Sequence, residues 1–199
     1  MQKIILFFSI ILLAACQTLP TSSEWLARGD GYFQDGNIDK AIAAYNRAQQ
    51  LNPDFIKVYS SRGAAYFFKG DYAAAQEDFV KVLQRNPYQV SGYTALSSAL
   101  AAQGDYQQAL EFIDIAAKLD PSKPEVFFTR GGIYFMLGKY EQAVADYSAV
   151  LRLRPAADVY NARGAAYTKL GKKELAEQDF ATASSGTVPE KLNIYQMID

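Results

Sequence analysis

Histidine is missing from this 199-residue chain, and cysteine occurs only once, at Cys16. The absence of histidine removes the side chain that most often acts as a general base and the most frequent zinc ligand. A single thiol can build neither an intramolecular disulfide nor a cluster of thiolate metal ligands. Excess charge is missing too, because 20 basic and 21 acidic residues give a net charge of −1. We therefore predict no catalytic residues, no metal, no cofactor and no nucleic-acid partner.

The amino-terminal apolar run is too short to span a bilayer. Residues 4–13 (IILFFSIILL) carry no charge, but ten helical residues rise only about 15 Å, half of a bilayer core. Lys3 precedes the run, and Ala14, Ala15 and Cys16 follow it, which predicts a signal peptide over residues 1–15. The ending resembles the lipobox of bacterial lipoproteins, which implies cleavage before Cys16 and acylation of its thiol by palmitate-type chains. The alternative is an ordinary secretory signal with an unrelated cysteine near the cut.

The residues after Cys16 suggest where such an anchor would lie. The residue after Cys16 is Gln17 and not an aspartate. In this respect the chain resembles lipoproteins that are sent to the outer membrane of Gram-negative bacteria. We therefore expect a lipid-anchored protein on the periplasmic side of the outer membrane. Residues 16–23 are predicted to be the lipidated cysteine and a short polar tether, so the folded domain should sit close to the bilayer.

Beyond the tether, the same residue types return every 34 positions. Four prolines keep this step, namely Pro53, Pro87, Pro121 and Pro155. The glycines are Gly36, Gly70, Gly104 and Gly138, with Gly171 one residue early. A further series is Tyr45, Phe79, Ile113, Tyr147 and Phe180. The pattern resembles the tetratricopeptide repeat (TPR) family, which implies an all-α solenoid, or superhelix, of stacked helical hairpins.

Five hairpins fill residues 24–187 in this interpretation. The repeats are placed at about 22–55, 56–89, 90–123, 124–156 and 157–187. In each, the glycine should end the first helix with a positive φ, and the proline should stop the second helix. Asn37, Asp71 and Asp105 follow the glycines and can cap the second helices. Residues 188–199 are predicted to form a C-terminal capping helix over the end of the stack.

A charge pattern accompanies the repeat. Three repeats carry an arginine on the first helix and an aspartate on the second, as Arg62 with Asp78, Arg130 with Asp146, and Arg163 with Asp179. Repeat three lacks both charges and offers Leu96 and Phe112 at the same positions. Because the two positions change together, we predict that they touch across the hairpin and form a structural pair. The alternative is an anion site built by the arginines.

The TPR resemblance also implies a binding groove. In that family the first helix of each hairpin lines the concave face. The large apolar side chains that the register places there are Leu26, Phe33, Phe67, Phe68, Phe128, Phe135 and Met136. Between them lies a predicted floor of small residues, Ser91, Thr94, Ser98, Ala101 and Ala102. We expect the groove to bind apolar or amphipathic segments of partner proteins. The alternative is that some phenylalanines pack between hairpins, or that the tether or a second copy of the chain covers them.

The function predicted from the sequence is a membrane-anchored scaffold for other proteins, used in outer-membrane or envelope assembly. TPR lipoproteins supply two analogies, the pilotins that assist secretins of type IV pili and the adaptors that gather cell-wall hydrolases. A self-associating structural module, such as a homodimer, is the alternative. An enzyme is disfavoured because no set of converging catalytic groups is present.

Overall fold

The structure is a computed structural model that describes residues 19–185. Ten helices form the regular structure of these residues. The all-α hairpin fold is confirmed. The helices are α1 (Ser22–Gln34), α2 (Ile38–Leu51), α3 (Ile56–Lys69), α4 (Tyr72–Arg85), α5 (Val90–Ala102), α6 (Tyr106–Leu119), α7 (Pro124–Met136), α8 (Tyr140–Leu153), α9 (Ala157–Lys169) and α10 (Lys173–Ser184). Within residues 19–185 no helix is long and apolar enough to cross a bilayer. The predicted signal peptide, Cys16 and the helix at 188–199 lie outside the described residues.

The turns follow from a few residue types. All five glycines of the repeat have φ between 70° and 87°, a conformation that side chains with a Cβ rarely adopt. Asp71 and Asp105 accept hydrogen bonds from the backbone N–H groups of Ala74 and Gln108, both at 3.2 Å. The prediction for Asn37 was wrong, because its side chain makes no capping bond.

The tether is shorter than the sequence suggested. Helix α1 begins at Ser22, inside the predicted tether of residues 16–23. The cause is a capping box, in which the side chain of Thr21 accepts from the backbone N–H of Glu24 and the carboxylate of Glu24 accepts from the N–H of Thr21. The first helix therefore begins six residues after Cys16.

The core is one continuous seam along the stack. Three clusters of buried side chains follow one another, centred on Tyr45, Ile113 and Tyr147. Tyr66 packs against the first and second clusters, and Tyr134 packs against the second and third. Each hairpin thus buries part of its apolar surface on its neighbours, which is how a solenoid obtains its stability.

A glycine and an aromatic ring share each hairpin. A Cβ on Gly29, Gly63, Gly131 or Gly164 would lie 2.4–2.9 Å from the ring of Tyr45, Phe79, Tyr147 or Phe180, respectively. Repeat three has Ser97 in place of the glycine, and the smaller Ile113 in place of the ring leaves space for it. The Ser97 hydroxyl, fully buried, donates to the carbonyl of Ala109 at 2.7 Å. The glycine is therefore required by the ring opposite it and not by the helix.

Candidate functional site: an aromatic inner face

The first helices of the hairpins form the inner face of the stack. Helices α1, α3, α5, α7 and α9 each touch the next first helix along the chain. Within residues 19–185, second helices of neighbouring hairpins make no comparable contact. First helices are thus crowded and second helices are spread apart, so the wall curves toward the first helices. This is the face on which the sequence placed the groove.

The first aromatic cluster joins repeats one and two. The ring of Phe68 makes edge contacts with Phe33 at 5.3 Å and with Phe67 at 6.4 Å between centroids. Phe67 packs in turn against Tyr72 at 5.3 Å. Phe33 and Phe67 are half-buried, whereas Phe68 is 71% exposed. Phe68 therefore packs on the rings of Phe33 and Phe67 and exposes most of its own surface to solvent.

The second aromatic cluster lines an open cavity of about 420 Å³ between helices α5 and α7. Its wall includes Phe128, Phe135 and Met136 from repeat four, and its floor includes Ser98 and Ala101 from repeat three. Phe128 lies against Tyr147 with 5.8 Å between centroids, and Met136 is 61% exposed. Burial raises the pKa of the Tyr147 phenol to about 12. The structure thus brings three of the predicted large side chains and two of the predicted floor residues together at one cavity.

Two hydroxyl groups of the floor, those of Thr94 and Ser98, are already paired. Thr94 donates to the carbonyl of Val90 at 3.0 Å, and Ser98 donates to the carbonyl of Thr94 at 2.9 Å. A hydroxyl bonded to the preceding turn of its own helix places little demand on a ligand. The floor between the two aromatic clusters therefore accepts apolar groups without leaving an unpaired polar atom.

One predicted groove residue is misplaced. Leu26 is only 5% exposed and belongs to the core cluster of Tyr45, so it does not line the groove. Leucine is too short to reach beyond the hairpin core, whereas the ring of Phe128 at the same repeat position reaches the cavity. The sequence analysis also missed tyrosines at the start of the second helices. Tyr106 lines the cavity, and Tyr72 and Tyr140 brace Phe67 and Phe135. Their spacing of 34 residues was the available signal.

The arginine–aspartate positions are in contact across each charged hairpin. Arg62 donates to both carboxylate oxygens of Asp78 at 2.7 and 2.8 Å. The corresponding pairs in repeats four and five show the same two bonds at 2.8 Å, from Arg130 to Asp146 and from Arg163 to Asp179. The hydrogen bonds that the arginines donate to the aspartates raise the pKa of all three guanidinium groups. These three guanidinium groups are bonded to aspartates within their own hairpins, so they do not converge on an anion site.

Each arginine also reaches back to the preceding repeat. Its remaining Nη1 donates to Asn46, Asp114 or Ser148, for Arg62, Arg130 and Arg163 respectively, at 2.7–3.0 Å. At the junction of repeats two and three, the same three positions hold apolar residues. Leu96 replaces the arginine, Phe112 replaces the aspartate, and Val80 of repeat two replaces the third partner. All three pack in the second core cluster. The junction between repeats two and three is therefore apolar at these positions, whereas at the other three junctions an arginine donates to a polar side chain.

Two sequence models of tetratricopeptide repeats match the chain. One, described as TPR repeat, matches residues 29–70 and 131–171, and the other, described as Tetratricopeptide repeat, matches residues 61–124. Together they cover more than half of the chain. The chain belongs to the tetratricopeptide repeat family. TPR proteins bind other proteins and are generally scaffolds. Among residues 19–185 no group of three or more acidic or thiol side chains is placed to hold a metal ion.

Solved structures show the same TPR fold at low sequence identity. A thermophilic TPR protein of Thermus thermophilus is 23% identical with a TM-score of 0.73, over 84% of this chain and 92% of its own. MamA is 22% identical with a TM-score of 0.69, over 82% of this chain and 90% of its own. PilF of Pseudomonas aeruginosa is 20% identical with a TM-score of 0.73, over 85% of this chain and 78% of its own. No curated relative matches the sequence.

Proposed function

We propose that this TPR protein is a lipid-anchored scaffold that faces the periplasm and holds an apolar or amphipathic segment of a partner protein along its inner face. The observation that carries this proposal is the open cavity of about 420 Å³ between α5 and α7, flanked by the exposed side chain of Met136. Large aromatic and thioether side chains at a concave surface are typical of sites that bind apolar segments of proteins.

The site favours an apolar segment for two reasons. Phe68 and Met136 expose large apolar surfaces on helices α3 and α7, on either side of α5. The small side chains of α5 lie between the two aromatic clusters, and their hydroxyls at Thr94 and Ser98 are bonded internally. A helix carrying bulky side chains on one face could therefore lie across α5 and insert those side chains into the clusters.

The role in the cell is proposed from resemblance. The Cys16 motif supports an anchor in the outer membrane, and the repeat wording resembles both pilotins of type IV pilus secretins and adaptors of cell-wall hydrolases. Affinity capture from crosslinked cells with the lipidated protein separates these roles, because secretin subunits would indicate the first and hydrolases the second. Mass spectrometry of the mature protein tests acylation of Cys16 directly.

The groove itself is tested by removing its exposed apolar side chains. We expect the double variant Phe68→Ala, Met136→Ala to lose partner capture while its helical signal and melting temperature stay close to those of the parent. Phe67 and Phe135 are less suitable targets, because they are half-buried against Tyr72 and Tyr140. A matched control is Tyr88→Ala, which removes a 78% exposed ring from the loop between α4 and α5. Undiminished capture by the double variant would show that the partner binds elsewhere.

Self-association is the remaining alternative. Sedimentation of the chain without its first sixteen residues distinguishes it from partner binding, because a scaffold for other proteins should remain a monomer. If a dimer forms and the groove variant dissolves it, the aromatic face serves a second copy of the chain.

A further inference from the structure

The amino-terminal end of the described stack carries an open cleft. Leu19, Pro20, Trp25, Arg47 and Leu51 line it together with Gln50, around a volume of about 250 Å³. Leu19 is 87% exposed and Leu51 is 56% exposed. Trp25 is half-buried and packs against the core cluster of Tyr45, as Tyr93 and Phe127 at the same repeat position pack against the second and third clusters. The rest of its surface lines the cleft. Among residues 19–185 the hairpin of Trp25 is the first, and no other hairpin in that range covers this end.

The two arginines at this end, Arg28 and Arg47, do not form the arginine–aspartate pair of the other repeats. Arg28 occupies the position of the paired arginines, but Ala44 replaces the aspartate, and Arg28 forms no ion pair with any residue in the range 19–185. Its guanidinium instead lies 4.8 Å from the centroid of the Trp25 ring. Arg47 is exposed and donates only to Gln50, at 3.0 Å. The nearby carboxylate of Glu24 is held by the N–H of Thr21 at 2.7 Å.

We propose that this end face, composed of Leu19, Trp25, Arg28, Arg47 and Leu51, rests on the headgroup region of a lipid bilayer. Tryptophan is favoured at membrane interfaces because its ring is apolar and its N–H is polar. Arginines beside it place positive charge at anionic headgroups, while leucines enter the acyl boundary. The combination in one cleft matches that chemistry better than it matches the uncharged apolar segment proposed for the inner face.

The position of the cleft in the chain supports the same occupant. Three peptide steps separate Cys16 from Leu19, and an extended chain covers at most about 10 Å in that length. If Cys16 carries the lipid, Leu19 lies within about 10 Å of the anchored residue, next to an interfacial layer about 5–8 Å thick. The membrane is thus the surface that this end meets first. In this respect the inference rests on the anchor in the proposed function, but not on the groove.

The chain offers a direct probe, because Trp25 is its only tryptophan. The predicted mature chain, from Cys16 onward, can be coupled through its only thiol to maleimide lipids in vesicles of phosphatidylcholine and phosphatidylglycerol. We expect the Trp25 emission to shift to the blue and to be quenched by brominated lipids. The matched reporter is the variant Trp25→Phe, Phe127→Trp, which moves the probe to the same position of repeat four and should be neither shifted nor quenched.

The arginines provide a second test on the same vesicles. Each of Arg28→Gln and Arg47→Gln should lower the ratio of docked to free orientation about fivefold on anionic vesicles, and neither should change it on pure phosphatidylcholine. High salt should weaken docking of the parent in the same way. Unshifted Trp25 emission, or equal quenching of both reporters, would overturn the proposal. A shift that grows with protein density and is not quenched by bromine would assign the cleft to a second copy.

The outcomes are separable from those of the proposed function. Because the coupling is chemical, the docking measurement remains valid whether or not Cys16 is acylated in the cell. Partner capture depends on Phe68 and Met136, which are not part of the end face.

Discussion

The pairing of glycine with an aromatic ring predicts that two adjacent glycines respond in opposite directions to alanine. A Cβ on Gly131 would lie 2.8 Å from Cε1 of Tyr147, whereas a Cβ on Gly132 would approach only the Tyr147 hydroxyl, at 3.9 Å. Overpacking of this kind costs about 1–3 kcal/mol. The gain in helix propensity from glycine to alanine is about 1 kcal/mol. Gly132→Ala should therefore stabilise the protein, and Gly131→Ala should destabilise it by up to about 2 kcal/mol.

Repeat three supplies the second half of the test. Ile113 leaves space for the Cβ of Ser97, so Tyr147→Ile should leave space for a Cβ at position 131. In that background Gly131→Ala should become stabilising, which gives a coupling energy of about 1–3 kcal/mol between the two positions. The free energy of unfolding is measured by far-UV circular dichroism during thermal and urea denaturation. For a domain of this size 1 kcal/mol corresponds to about 2–4 °C in the melting temperature.

Two results would refute the reasoning. The first is an equal effect of alanine at Gly131 and at Gly132, since only the former meets a ring. The second is an unchanged effect of Gly131→Ala when Tyr147 is isoleucine, since the ring is the atom group that the new methyl meets. Either result would mean that Gly131 is kept for a reason other than close packing.

Two further predictions concern the charged and phenolic groups of repeat four. Asp146→Ala should destabilise the protein by about 2 kcal/mol or more, because Arg130 loses two charge-assisted hydrogen bonds in a largely buried site. The control is Asp39→Ala, which breaks the exposed pair with Lys69 and should cost about 0.5 kcal/mol or less. Equal melting temperatures of the two variants would contradict the structural role of the buried pair. Burial raises the pKa of Tyr147 to about 12, so its neutral form stabilises the fold fully below pH 10, the usual pKa of a phenol, and that contribution is lost as the pH rises from 10 to 12. Tyr147→Phe should therefore show a smaller loss of stability over that range in pH-dependent unfolding, and an identical loss would contradict the shift.

Much of the fold was readable because each helix end depends on a residue type that recurs at a fixed step. Gly70 and Gly104 mark turns with positive φ, and Pro87 follows the end of a helix by two residues. The arginine–aspartate contact was readable for a different reason. Both members disappear together in repeat three, and two positions that change together are often in contact.

The features that the sequence did not predict depend on the size of individual side chains and on neighbours that are distant in sequence. Leu26 shares a repeat position with Phe128, but only the longer side chain reaches the cavity. Asn46 binds Arg62 across sixteen positions of the chain, and nothing in its own repeat indicates this. Trp25 shares the 34-residue step with Tyr59, Tyr93 and Phe127, but its open cleft follows from the absence of a hairpin before it among the described residues. Such features require the packed structure, since a periodic pattern describes an average repeat.

One apolar junction among three polar ones makes the order of the hairpins a property of the sequence. Excising residues 90–123 would bring Arg130 next to Val80, which has no oxygen to accept its third hydrogen bond. Transplanting the same segment behind the first hairpin would set Leu96 beside the amide of Asn46. Units that look interchangeable by their 34-residue length are thus matched to particular neighbours, so shuffling them should yield chains that keep every hairpin yet stack poorly.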